Sequence, residues 1–121
     1  MANEILANLR VQLTNGKLSK LFAPAKIQLD QAAQGLFDSV RSIATSETSV
    51  ALSGITTPHV AIIWNLDDTN YCELGTTTAD YPIKLRPQGL PAIMPLNAGK
   101  TTLYLKANTA ATKVQITVFE A

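Results

Sequence analysis

Alternation of apolar and polar residues constrains the fold of this chain most, and it is strongest toward the C-terminus. In residues 102–107 and 113–119 every second residue is aliphatic: Leu103, Leu105, Ala107, Val114, Ile116 and Val118. A period of two is typical of a β-strand with one covered face, so both segments are predicted strands. The short loop 108–111 joins them, which predicts an antiparallel hairpin.

Further strands are predicted upstream. Ile27 and Leu29, and likewise Ile83 and Leu85, alternate with polar neighbours. The segment 60–64 is continuously apolar and rich in β-formers, which predicts a strand covered on both faces. Turn formers in 65–70 lead from it into 71–74, predicting a second hairpin. The proline-rich segment 87–95 is predicted to cross between sheets, with at most a short edge strand in it.

The N-terminal third leaves alternatives open. Asn15-Gly16 sits between alternating residues and predicts a hairpin closed by a type I′ turn. Asn3 is a possible helix N-cap, and four apolar residues that follow it have helical spacing. A short N-terminal helix or an extended arm over residues 1–9 therefore stays open. These four are Ile5, Leu6, Leu9 and Leu13.

The segment from 33 to 43 has a similar ambiguity. Its apolar residues fit a helix, but Gly35 and the surrounding Ser and Thr favour a strand or a loop, and a strand is predicted. Its apolar residues are Ala33, Leu36, Phe37, Val40 and Ile43. Together the segments give about eight short strands separated by turn signals. We therefore expect an all-β fold, a two-sheet antiparallel β-sandwich or jelly roll forming one domain over 1–121.

The composition excludes several functions and favours assembly. Only 16% of the 121 residues are charged, against roughly 25% in typical soluble proteins, and the net charge is +1. No basic field for nucleic acid exists. Fourteen threonines supply neutral surface that a partner covers without desolvating ions. This predicts a homo-oligomer, the alternative being a neutral β domain without a stable partner.

No membrane association is expected. The longest apolar run, 60–64, is far shorter than the roughly 18 residues of a membrane span. Residues 1–4 lack the basic start of a signal peptide, so a soluble domain without export signals is expected.

Candidate chemical motifs are weak. Gly99-Lys100-Thr101 ends like a phosphate-binding loop, but Met94 stands where the pattern needs glycine. His59 and Cys72 are residue types that suffice for acyl transfer, but nothing in their spacing favours it. A buried thiol and a surface imidazole are expected instead.

Oxygen ligands are concentrated in one turn. Asp67, Asp68, Asn70 and Glu73 could hold a hard cation, although adjacent Asp residues are ordinary turn formers. Asp80, Glu73 or Asp68 could supply a carboxylate pair for glycoside hydrolysis, but no feature selects a pair. The aromatic residues Trp64, Tyr71, Tyr81 and Tyr104 are assigned to packing rather than ligand stacking. No catalytic, cofactor-binding or metal-ligating residue is predicted.

The C-terminal half carries a series of strand and turn motifs. They are Ile63-Trp64-Asn65, Asp67 to Gly75, Ile83 to Pro87, Met94-Pro95-Leu96 and Leu103 to Ala110. This series resembles small virion proteins of tailed bacteriophages, which are β-sandwich or jelly-roll modules. In them an asparagine-rich turn leads into a Tyr-x-Glu-Leu-Gly-like strand. The resemblance covers about residues 59–121, and Cys72 stands where such a strand carries valine.

The resemblance implies a noncatalytic structural role in a virus particle, as a head decoration or cement protein, a head-fibre base, or a collar or tail component. The implied partners are the major capsid protein or other virion proteins, and the implied location is the virion, assembled in the host cytoplasm. A dimer or trimer over a capsid axis is expected. The alternative is a receptor- or glycan-binding adhesion module in which Trp64 or the tyrosines face solvent.

Overall fold

The computed structural model describes residues 4–32 and 35–121, and all regular structure among them is β. The predicted all-β class is confirmed, and both helical alternatives, behind Asn3 and over 33–43, are wrong. Contacts divide the chain into two compact units, Met1–Ala32 and Ala33–Ala121.

The first unit contains two small antiparallel pairs. Strand β1 (Ile5–Ala7) pairs with β4 (Ile27–Leu29), and β2 (Val11–Asn15) pairs with β3 (Leu18–Phe22). Residues 1–3 of the expected arm lie outside the described residues.

The predicted β2–β3 hairpin is confirmed, but its turn is shifted by one residue. Asn15 pairs with Leu18, so the two loop residues are Gly16 and Lys17. Gly16 has a φ of 58°, whereas Asn15 and Lys17 are not among the residues with positive φ. A positive φ at the first loop residue alone is typical of a type II′ turn rather than the predicted type I′.

The second unit forms two four-stranded antiparallel sheets. Its strands are β5 (Leu36–Ile43), β6 (Thr48–Ala51), β7 (Pro58–Asn65), β8 (Cys72–Gly75), β9 (Ile83–Leu85), β10 (Ala92–Pro95), β11 (Thr102–Ala107) and β12 (Thr112–Glu120). One sheet has the order β10-β7-β12-β5 and the other β6-β11-β8-β9. We call them the β7–β12 sheet and the β8–β11 sheet after their central strands.

The pairing of these strands is nested. Strand β5 pairs with β12, β6 with β11, β7 with β10 and β8 with β9. Two further pairings, β12 with β7 and β11 with β8, close each sheet. Nested antiparallel pairs folded into two packed sheets form a jelly roll, one of the two architectures that the sequence predicted. The edge strand predicted within 87–95 is β10.

Both predicted C-terminal hairpins are wrong in their pairing, although their strands are confirmed. Strands β11 and β12 belong to different sheets, as do β7 and β8. Packed sheets lie about 10 Å apart, a distance that the four residues 108–111 can span. Crossing between sheets lets both strands turn their aliphatic sides into one core, which a flat hairpin would not do.

The core is built by the alternation read from the sequence. Leu103 and Leu105 of β11, and Ile116 and Val118 of β12, have no solvent exposure. The prediction that 60–64 is covered on both faces holds on one side only. Ala61 and Ile63 are fully buried, whereas Trp64 is 46% exposed.

Candidate interaction surface

The structure does not assemble His59 and Cys72 into a reactive pair. His59 lies on β7 and Cys72 on β8, in different sheets, and the thiol donates to the carbonyl of Glu73 at 3.7 Å. Cys72 has no solvent exposure, and burial raises the pKa of its thiol to about 11. The expected buried thiol is confirmed. The thiol stays protonated near neutral pH and is a poor nucleophile.

The acidic turn uses its carboxylates to hold its own backbone. Asp67 accepts hydrogen bonds from the backbone N–H groups of Asp68, Thr69 and Asn70 at 2.8 to 3.3 Å. Burial acts to raise the pKa of Asp67, but these hydrogen bonds outweigh it and hold the pKa below its usual value. Within 4–32 and 35–121, no three His, Cys, Asp or Glu residues cluster as metal ligands would.

The other carboxylates considered for glycoside hydrolysis serve different local structures. Asp68 accepts from the Thr69 hydroxyl at 2.9 Å, and Asp80 forms an isolated β-bridge with Thr77. Glu73 lies on β8 and pairs across the strands with lysines. The structure brings no pair of them into a shared site.

The segment Gly99-Lys100-Thr101 precedes strand β11 and closes a turn, with the Lys100 N–H donating to the carbonyl of Asn97 at 3.0 Å. It borders an open, mainly polar cavity of about 190 Å³. The cavity is lined by Thr76, Gly99, Lys100, Thr101, Thr102 and Tyr104.

Three of the four aromatic residues singled out in the sequence are half-buried. The Lys84 ammonium lies 4.0 Å from the Tyr71 ring centroid, a cation–π contact. The Tyr81 hydroxyl donates to the Glu47 carboxylate at 2.5 Å. Trp64 differs because its ring is exposed on the outer face of β7.

The outer face of the β8–β11 sheet is polar. Lys106 pairs with Glu73, which pairs with Lys84, so one row across three strands alternates in charge. Ser49 and Tyr104 form the next outward row. Cross-strand pairs of opposite charge are typical of a sheet face in contact with water.

The outer face of the β7–β12 sheet has the opposite character. The register places Val40, Gln115 and Trp64 in one outward row across β5, β12 and β7. Phe119 aligns with Leu36 and Val60 in another. We call this surface the apolar face, and it consists of Leu36, Asp38, Val40, Ser42, Val60, Ile62, Trp64, Leu66, Ile93, Pro95, Lys113, Gln115, Thr117 and Phe119.

Water contacts much of the apolar face. Leu36 is 59% exposed and Val40 55%, and Ile93 on the edge strand is also exposed. An antiparallel sheet with a solvated face normally alternates apolar-in and polar-out, as the β8–β11 sheet does. Several exposed aliphatic and aromatic residues on one sheet face are typical of an interaction site.

Sequence reasoning found only one strand of this surface. The continuous apolar run 60–64 made the outward side of β7 visible as apolar, although the predicted cover on that side is not present at Trp64. The sequence analysis predicted β5 and β12 as strands but did not assign their outward sides to this surface. Leu36 and Val40, an even number of residues apart, and Phe119, on the polar side of its strand, were visible signals. Only the register brings them together.

The first unit has an uncovered apolar strip of its own. Val11 pairs with Phe22, and Leu13 and Leu18 point to the same side of the β2–β3 hairpin. Their exposed fractions range from 49% to 63%. A two-stranded hairpin is marginally stable alone, because one ribbon cannot cover its own apolar side.

Comparisons with protein-family models, with curated proteins and with solved structures find no match to this chain. Among the residues that the structure describes, none forms a helix of the length and apolarity needed to cross a membrane.

Proposed function

We propose that this chain is a noncatalytic structural component of a phage particle, a head decoration or cement protein that stabilises the capsid through subunit contacts. The observation that carries the proposal is the apolar face. Its outward aliphatic and aromatic side chains, with Trp64 and Val40 about half exposed, gain free energy only when another surface excludes water from them.

The contrast between the two sheets supports a binding role for one of them. The polar row Lys106, Glu73 and Lys84 lies on the β8–β11 sheet, while the apolar face is confined to the β7–β12 sheet. If the whole surface were apolar, both sheets would have apolar outer faces. The asymmetry favours a jelly roll in which one sheet contacts neighbouring subunits and the other faces water.

The assignment to a phage particle rests on the resemblance of residues 59–121 to small virion proteins of tailed phages. The jelly roll is compatible with it, since capsid proteins use this fold, as do lectins and other families. The low charge of the chain agrees with contacts that bury little ionic surface.

Particles made with and without this protein test the proposal. We expect particles lacking it to lose a discrete density in negative-stain images and to rupture at lower temperature, and added purified protein to restore both. Val40→Lys on the apolar face should abolish restoration, whereas Ser49→Lys on the polar face should restore as the wild type does. Particles that neither contain nor bind the protein would contradict the proposal.

A second candidate function, an adhesion module for a receptor or glycan, is favoured by the solvent-facing Trp64 and by the polar cavity beside Tyr104. Hydroxyl-rich cavities with an aromatic wall suit sugars. A glycan array with the wild type and with Tyr104→Ala tests it. Specific binding that the variant loses supports this function, and the absence of any bound glycan contradicts it.

A further inference from the structure

We propose that the apolar face is covered by the same face of a second copy of this chain, in a twofold dimer in which Asp38 of each copy faces Lys113 of the other. The inference rests on the proposed function, because it names the partner that the face contacts. Its basis is the placement of the two charged residues within an otherwise uncharged surface.

Asp38 and Lys113 are placed symmetrically about the middle of the apolar face. Gln115 aligns with Val40 and Trp64 in a central row. On β12, Lys113 lies two residues before Gln115 and Thr117 lies two residues after it. Thr117 pairs with Asp38 on β5. The two charges therefore occupy the rows on either side of the Gln115 row.

A twofold axis in the interface, parallel to the Gln115 row, exchanges these two rows. It places Asp38 of the second copy over Ser42 of the first, and Ser42 is the cross-strand partner of Lys113. Neighbouring strands are about 4.8 Å apart, so the carboxylate and the ammonium come within reach of each other. The same operation forms the second ion pair, as an isologous interface requires.

The carboxylate is already positioned for this contact. The Thr117 hydroxyl donates to Asp38 Oδ1 at 2.9 Å, which fixes the aspartate on its own face and leaves Oδ2 for a partner. Asp38 and Lys113 are the two charged residues of the apolar face as defined above, and their signs are opposite. A face of one charge would repel its own copy, whereas this one is self-complementary.

The extent of the face is of the order that a dimer needs. Four strands of four to nine residues, about 4.8 Å apart and rising about 3.4 Å per residue, outline roughly 470 Å². A standard interface buries about 800 Å² per partner, and side chains that stand above the sheet add to the outlined area. In the central row the apolar side chains Val40 and Trp64 flank the uncharged Gln115, so the pairing of two copies buries no ion there.

Charge exchange in the full-length chain tests the pairing. In sedimentation velocity we expect a dimer for the wild type and about a tenfold weaker association for Asp38→Lys and for Lys113→Glu, since each single change creates two repulsive contacts. The double variant D38K/K113E should recover the wild-type association. Lys100→Glu, outside the apolar face, is the charge-matched control and should not alter it.

Trp64, the only tryptophan of the chain, reports directly on the face. We expect its acrylamide quenching to fall as protein concentration rises through the dimerisation range. A monomer at 200 μM overturns the inference, whether Trp64 is exposed or is protected by the chain itself. A trimer, or a dimer in which neither charge reversal has an effect, also overturns it.

Binding to particles that lack the protein separates this inference from the proposed function. A monomer that still binds such particles contradicts the dimer and leaves the structural role standing. A dimer with the expected charge-exchange behaviour that fails to bind supports the self-pairing and contradicts the structural role.

Discussion

The side-chain amide of Asn65 donates a hydrogen bond to the backbone carbonyl of Leu85 at 2.9 Å and so links the two sheets of the jelly roll. Asn65 ends β7 in one sheet, and Leu85 ends β9 in the other. The same amide nitrogen donates to the carbonyl of Asn70, and the amide oxygen accepts from the Asp67 N–H. One nearly buried side chain thus fixes the sheet-to-sheet connection that follows β7.

Replacing Asn65 by the isosteric Asp should destabilise the fold by about 3 kcal/mol at pH 7, because a carboxylate cannot donate to the two carbonyls and its charge is buried beside them. Urea unfolding monitored by circular dichroism measures the loss. Asn97→Asp in the exposed turn before β11 is the control and should stay within about 0.5 kcal/mol of the wild type. Equal effects of the two substitutions would show that the Asn65 hydrogen bonds contribute nothing specific.

Glu47 and Tyr81 should produce a measurable step in an alkaline titration. The hydrogen bond to Glu47, with further contributions from burial and the Glu47 charge, raises the pKa of Tyr81 from its usual 10 to about 12. The stability gained from this contact is therefore complete below pH 10 and is lost as the pH rises from 10 to 12. Absorbance at 295 nm should show a tyrosine titrating near pH 12, a step that Tyr81→Phe removes.

Glu47→Gln provides the reciprocal test. The Tyr81 hydroxyl, followed by the Ala79 N–H and the Thr78 hydroxyl, lowers the pKa of Glu47. Its stabilising contribution is present above the unfolded pKa and is lost as the pH falls through the folded one. The Gln variant should return the Tyr81 step toward pH 10. A step that stays near pH 12 in this variant would exclude Glu47 as its cause.

Two glycines should respond in opposite ways to the same substitution. A Cβ at Gly75 would overlap the backbone carbonyl of Asp80, whereas a Cβ at Gly99 would meet no atom within 4 Å. Gly75→Ala must displace the turn that follows β8, and we expect it to cost about 2 kcal/mol. Gly99→Ala should leave the melting temperature unchanged or slightly higher. An unchanged melting temperature for Gly75→Ala would contradict the close backbone approach.

Cys72 should be unreactive until the protein unfolds. With a pKa of about 11 caused first by burial, its thiol is overwhelmingly protonated at pH 8 and is shielded from reagents. Labelling by a disulfide reagent should be complete in urea and negligible in buffer. Cys72→Val should fold normally and cost less than about 1.5 kcal/mol, since the side chain packs as a small apolar group. Rapid labelling of the native protein would contradict this placement.

Strands such as β11 and β12 could be predicted from the sequence because each buries one face, and burial leaves a period-two pattern in the chain. Strand β6 was not predicted, and apart from the β2–β3 hairpin the partners of the strands could not be predicted. The loop 108–111 suits a hairpin as well as a crossing between sheets, and the choice depends on core packing across strands distant in sequence. The turn at Gly16 shows the same limit, because a one-residue shift in register changes the turn type without changing the pattern.

The apolar face was only partly predictable for the same reason. The continuous apolar run of β7 signalled a second apolar side, but Leu36 and Phe119 become its neighbours only through pairings of β12 with both β5 and β7. The carboxylates of the acidic turn were ambiguous in sequence, since a cation site and a backbone-capping turn use the same residues. Three backbone N–H groups donate hydrogen bonds to the Asp67 carboxylate, so this residue caps the backbone of the turn.

The nested pairing has a consequence for biosynthesis. Strand β5 lies at the sheet edge and pairs with β12. The hydrogen bond from the Thr117 hydroxyl to Asp38 can therefore form only after a residue 79 positions further along the chain has been made. During translation the side of β5 that carries Phe37 and Ile43, both buried in the folded chain, leaves the ribosome long before its native cover exists. The jelly roll therefore closes only after β12 has emerged, and a slow, chaperone-shielded late step is expected for a nascent chain with so many distant contacts.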